Sequence, residues 1–103
     1  MNNIYFLLSP SPAETGRGIA ERLRELRKRK KISQQRLSEK SGVSLGSLKR
    51  FERSGEISLI SLIKLASALE VQGELDHLFC DIPPVSIEEI IRGENKKIKR
   101  TLW

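Results

Sequence analysis

The stretch Ile32-Ser33-Gln34-Gln35-Arg36-Leu37-Ser38-Glu39-Lys40-Ser41-Gly42-Val43-Ser44-Leu45-Gly46-Ser47-Leu48-Lys49-Arg50-Phe51-Glu52 decides the fold of this chain. Ser33 is a helix N-cap, because its hydroxyl can accept from a free N–H of the first turn. The spacing predicts a helix over Gln34–Ser41 with Leu37 inward. Gly42 then supplies a left-handed residue that ends the helix at low cost. Ser44 caps a second helix, Leu45–Arg53, with Leu48 and Phe51 inward. Two short helices joined by a tight glycine turn form a helix-turn-helix, glued by Leu37, Val43, Leu48 and Phe51. Such a second helix projects a free face, and the DNA major groove, about 12 Å wide, admits one helix.

Outward from this core, more helices are expected. Ile19, Leu23 and Leu26 recur at helical spacing and predict a first full helix over Arg17–Lys30. Ser11-Pro12-Ala13-Glu14 has the form of a capping box with proline at the first helical position, but Gly16 and Gly18 weaken a helix there. Ser58 caps a fourth helix whose apolar stripe is Leu59, Leu62, Ile63, Ala66 and Leu69. Val71, Leu75, Leu78 and Phe79 suggest a short fifth helix.

The ends read differently. Ile4–Leu8 favours an extended strand that Pro10 and Pro12 stop. It is either a segment packed on the core, a disordered start, or a strand that pairs with its mate across a dimer. Beyond Pro83-Pro84, Ser86 and Glu89 form a capping box, and Val85 with Ile90 a hydrophobic staple, for a short helix Ile87–Arg92. The tail Lys96–Arg100 is a phosphate arm, a docking segment or plain disorder, and Trp103 either anchors a partner or packs back. The expected division is an arm at 1–12, a DNA-binding domain at 13–80, and a C-terminal helix with basic tail at 81–103.

Composition narrows the function. The 103 residues suit one small domain. A net charge of +6 and a pI near 9.8 favour an anionic partner. The positive charge clusters in Arg17–Lys31 and in the tail after Gly93. With one cysteine, Cys80, and one histidine, His77, no internal disulfide or metal cluster is expected, and a reducing, cytoplasmic, nucleoid-associated setting fits. Ile4–Leu8 is too short for a membrane span. No nucleophile–base set or phosphate loop stands in the sequence, so no enzyme and no cofactor is expected.

The pattern resembles the Cro/repressor (XRE-type) helix-turn-helix family over about Arg17–Phe79, on Gln34, Leu37, Gly42, Val43, Leu48, Glu52 and the helices around them. The resemblance implies an all-α, lambda-repressor-like, five-helix domain. It puts Ser33 and Gln34 on DNA phosphate and the exposed residues Ser44, Leu45, Ser47 and Arg50 against base edges. Arg50 is the leading base reader, because arginine can hold guanine O6 and N7 together. Lys49 and Arg53 are implied phosphate contacts. Arg27 and Glu52 fall where the family often buries an ion pair; the alternative is two solvated charges. Three departures stand out. Ser54 replaces a usual glycine, which comes one residue later. Ser38 replaces a common alanine, and Arg36 an acidic residue.

A second resemblance, over about Leu75–Arg100, is to HipB-like antitoxins encoded beside HipA-type kinase toxins. Together these imply a homodimeric autorepressor on a near-palindromic double-stranded operator, with a HipA-type kinase or its partner subunit as a further contact. The rivals are a stand-alone repressor and a protein-interaction module that uses the helix-turn-helix as scaffold.

Overall fold

Serine caps begin four of the helices of this chain. In the computed structural model, residues 9–81 are described. They contain five α-helices and no strand: α1 Pro12–Arg29, α2 Gln34–Ser41, α3 Leu45–Ser54, α4 Leu59–Ala68 and α5 Gln72–Asp76. The chain divides into two units, residues 1–71 and 72–103. The expected strand at Ile4–Leu8, the helix Ile87–Arg92, the basic tail and Trp103 lie outside the described residues.

The first helix starts at Pro12, earlier than the expected Arg17. Ser11 Oγ accepts from Glu14 N–H at 3.1 Å, and Glu14 Oε1 accepts from Ser11 N–H at 2.8 Å. This reciprocal cap satisfies donors that would otherwise be orphaned, and Pro12 is pre-set for the first turn. Gly16 serves as a contact surface inside the helix. A Cβ there would stand 3.1 Å from the carbonyl oxygen of Gly55, so the end of α3 closes against α1 where a side chain is missing.

The N-termini of α2, α3 and α4 repeat one device. Ser33, Ser44 and Ser58 accept from the N–H of Arg36, Ser47 and Ser61 through their side chains. Gly42 and Gly55 end α2 and α3 at φ +80° and +81°, in the left-handed region open to glycine.

The core is the meeting of α1, α2, α3 and α4: Ala20, Leu23, Leu37, Val43, Leu48, Phe51, Leu65 and Leu69 are buried together. Removing each Leu or Phe from water is worth about 1.5–3 kcal/mol. Helix α3 packs on both α1 and α2, and α2 also packs on α4. The α4 stripe differs from expectation. Leu65 is fully buried and Leu59 is 63% exposed, while Leu62 and Ile63 are half-buried. The inward face therefore begins later, at Leu62, and Leu59 and Ile60 of the first turn face water. In the second unit, α5 is shorter than the apolar pattern suggested. It ends at Asp76, with Leu78 and Phe79 in the exposed turn beyond it.

Candidate nucleic-acid interface

The three residues between α2 and α3, Gly42, Val43 and Ser44, are held by hydroxyls as well as by burial. Ser38 Oγ donates to the Val43 carbonyl at 2.6 Å, and Ser41 Oγ accepts from Val43 N–H at 3.1 Å. The Val43 side chain is buried at 4% exposure. Both backbone groups of Val43 are thus paired by α2 side chains as its side chain enters the core. An alanine at position 38 would leave the Val43 carbonyl without this donor, which explains the serine there. Periodicity carries no signal for this brace.

Beneath the turn lies an ion-pair node. Arg27 Nε and Nη2 donate to the two Glu52 carboxylate oxygens at 2.8 and 3.0 Å. Arg27 Nη1 donates to the Ile32 carbonyl at 2.9 Å, and Gln34 Nε2 donates to Glu52 Oε1 at 2.9 Å. The side chains of Arg27 and Glu52 are 9% and 4% exposed. Charged groups out of water are tolerated when they are paired and their remaining donors are satisfied. The node ties α1, the start of α2 and the end of α3 together. It also engages one of the two N–H donors of the Gln34 amide, and a phosphate at the start of α2 would further meet the backbone N–H groups that lack a helical acceptor. Ser33 Oγ is engaged likewise, as acceptor for Arg36 N–H.

The outer face of α3 is polar and open. Gly46, Ser47, Lys49, Arg50 and Arg53 are exposed, and Leu45 is half-buried. A Cβ at Gly46 would meet nothing within 4 Å. At the first turn, Ser44 Oγ donates to Ser47 Oγ at 2.9 Å. Arg50 Nη2 donates to Glu56 Oε1 at 2.7 Å, with both side chains about two-thirds exposed. The face thus offers hydroxyls and one guanidinium in the middle, with Lys49 and Arg53 one helical turn apart beside them. Arg36, in place of a usual acidic residue, makes an exposed pair with Glu39 at 3.6 Å.

The remaining departure also has a structural account. Ser54 is the last residue of α3, and its Oγ donates to the Arg50 carbonyl at 2.7 Å and accepts from Glu56 N–H at 3.2 Å. Gly55 then takes the left-handed cap. The helix is closed one residue later than the family pattern, by a glycine that does the same work.

Among the described residues no His, Cys, Asp or Glu group is placed to hold a metal ion, and no helix is long and apolar enough to cross a membrane. A family model described as helix-turn-helix matches residues 23–76, a little over half of the 103-residue chain. No curated protein and no solved structure matches it.

Proposed function

Because the chain belongs to the Cro/repressor (XRE-type) helix-turn-helix family, whose members are DNA-binding transcriptional regulators, we propose that it is a dimeric autorepressor of a near-palindromic operator. The observation that carries this reading is the two-sided character of α3. Leu48 and Phe51 lock one side into the core, while Ser47, Lys49, Arg50 and Arg53 stand exposed on the other. In the reading, α3 enters the major groove. Arg50 reads guanine, with Ser44, Leu45 and Ser47 beside it on base edges. Lys49 and Arg53 meet phosphate, and so do Ser33 and Gln34 at the N-terminus of α2. Arg27 and Glu52 brace the reader from beneath and touch no DNA.

One such helix makes few base contacts, so specificity calls for two. A dimer would set its recognition helices in half-sites about 34–36 Å apart. The operon role follows the second resemblance: the C-terminal segment would contact a HipA-type kinase toxin or its partner subunit, making the protein an antitoxin or antitoxin-associated subunit of the cytoplasm. That reading is supported by sequence pattern alone.

Selection of duplexes from a randomised library tests the function. A symmetric enriched sequence, bound by two copies in light scattering, is the expected result. Arg50→Ala should then relax preference at one base position per half-site, with about 1–3 kcal/mol of discrimination lost. Equal weakening on every duplex would remove Arg50 as a reader. Absence of any enriched sequence would favour the scaffold reading instead.

A further inference from the structure

The Arg50–Glu56 contact has an unusual setting for a surface ion pair. The two residues lie six apart, across the end of a helix, where no regular helical spacing brings side chains together. What brings them together is the turn. Ser54 Oγ bonds both the Arg50 carbonyl and the Glu56 N–H, and so ties the backbone of one partner to the backbone of the other. Gly55 between them is pressed on α1: a Cβ there would stand 2.5 Å from the Gly16 carbonyl carbon and 2.6 Å from Arg17 N. The path of the chain from Arg50 to Glu56 is therefore fixed against the core, although both side chains are in water.

The electrostatics make this placement informative. A carboxylate beside a helix that approaches phosphates opposes binding. Glu56 therefore works against affinity wherever α3 meets DNA. Its carboxylate accepts from Arg50 Nη2, through one of five guanidinium N–H groups. The others remain available for a bidentate grip on guanine. An unrestrained arginine at this position has another option, the nearest phosphate, which every sequence offers alike.

We propose that Glu56 is a positioning residue for base reading: it draws the Arg50 guanidinium away from phosphate and presents it to guanine, giving up general affinity for discrimination. The assignment rests on Arg50 being a base reader. Ser54 and Gly55, where the glycine of the family pattern is shifted by one residue, are the parts that put Glu56 within reach.

The test uses the full chain, the duplex that it enriches from a randomised library, and the same duplex with the guanine of the Arg50 position exchanged for adenine. Binding of wild type, Glu56→Gln, Arg50→Ala and the double variant is measured on both across a salt series, with unfolding midpoints taken alongside to separate lost fold from lost discrimination. Glu56→Gln is expected to tighten binding to the exchanged duplex and to cut the ratio between the two by about two- to fivefold, the range that an exposed charge pair supplies. In the Arg50→Ala background the same change should leave that ratio where it was. Equal tightening on both duplexes by Glu56→Gln would overturn the proposal and make Glu56 a plain repulsive charge. So would a drop in ratio that persists without Arg50. If Arg50→Ala itself leaves every base preference unchanged, the base-reading assignment has failed, and the role of Glu56 fails with it.

Discussion

Two arginine–glutamate pairs each have one member on α3, Glu52 and Arg50, with nearly the same shortest distance and opposite surroundings. Arg27 and Glu52 meet at 2.8 Å with both side chains less than one-tenth exposed. Arg50 and Glu56 meet at 2.7 Å with both about two-thirds exposed. Distance alone would rank them equal. Burial separates them, because water screens the outer pair and competes for its donors, while the inner pair is shielded from water. The inner pair is also doubly bonded and shared with Gln34, so it works as a joint. The outer pair is singly bonded and ready to exchange its partner for a base. One helix therefore carries its fixed end and its reading end within four residues.

The largest way to break this contrast is to remove one member of the inner pair. Glu52→Ala leaves Arg27 buried without its carboxylate and deprives Gln34 of its acceptor. A loss of about 3–5 kcal/mol is expected in urea unfolding. Glu56→Ala should cost no more than about 1 kcal/mol in the same assay. Comparable losses would refute the division between joint and reader.

Gly55→Ala comes next. The backbone at φ +81° alone costs a β-carbon about 1–3 kcal/mol, and the methyl would also meet Gly16 and Arg17 backbone that cannot step aside. Thermal melting should show a marked fall, whereas Gly46→Ala, with open space around it, should leave the midpoint level or raised.

On the outer face, Lys49→Ala or Arg53→Ala should weaken binding to all duplexes alike. The slope of log K against log salt should fall by about one. A loss confined to the enriched sequence would turn either residue into a base reader.

The smallest expected effect is at the far end of α1. The Ser11 backbone N–H bond, helped by the Ser11 hydroxyl and Arg17, holds the Glu14 carboxyl below the usual glutamate range. A group lowered in the folded state stabilises above its unfolded pKa. That contribution disappears as pH falls through the folded value. Helicity followed on acidification should therefore decline slightly more in the wild type than in Glu14→Ala. Identical curves would show that the capping carboxylate contributes nothing.

Much of this was legible in the chain. The caps Ser33, Ser44 and Ser58 and the stops Gly42 and Gly55 are local chemistry, so sequence locates them within a residue or so. Leu37, Val43, Leu48 and Phe51 follow from periodicity. The start of α1 was not legible, because a helix with two glycines reads as weak until the surface it must meet is known. The exposure of Leu59 was not legible, because a wide apolar stripe does not say which of its edges faces inward. The hydroxyl bridges of Ser38, Ser41 and Ser54 carry no periodic signal.

Sequence by itself determined the helix-turn-helix, its boundaries and its family, because capping, glycine stops and apolar spacing act within a few residues. Tertiary structure alone decided what the charges do. Whether a guanidinium is a buried joint, as at Arg27, or an exposed hand, as at Arg50, depends on how much water the fold leaves around it, and that is set by residues distant in the chain.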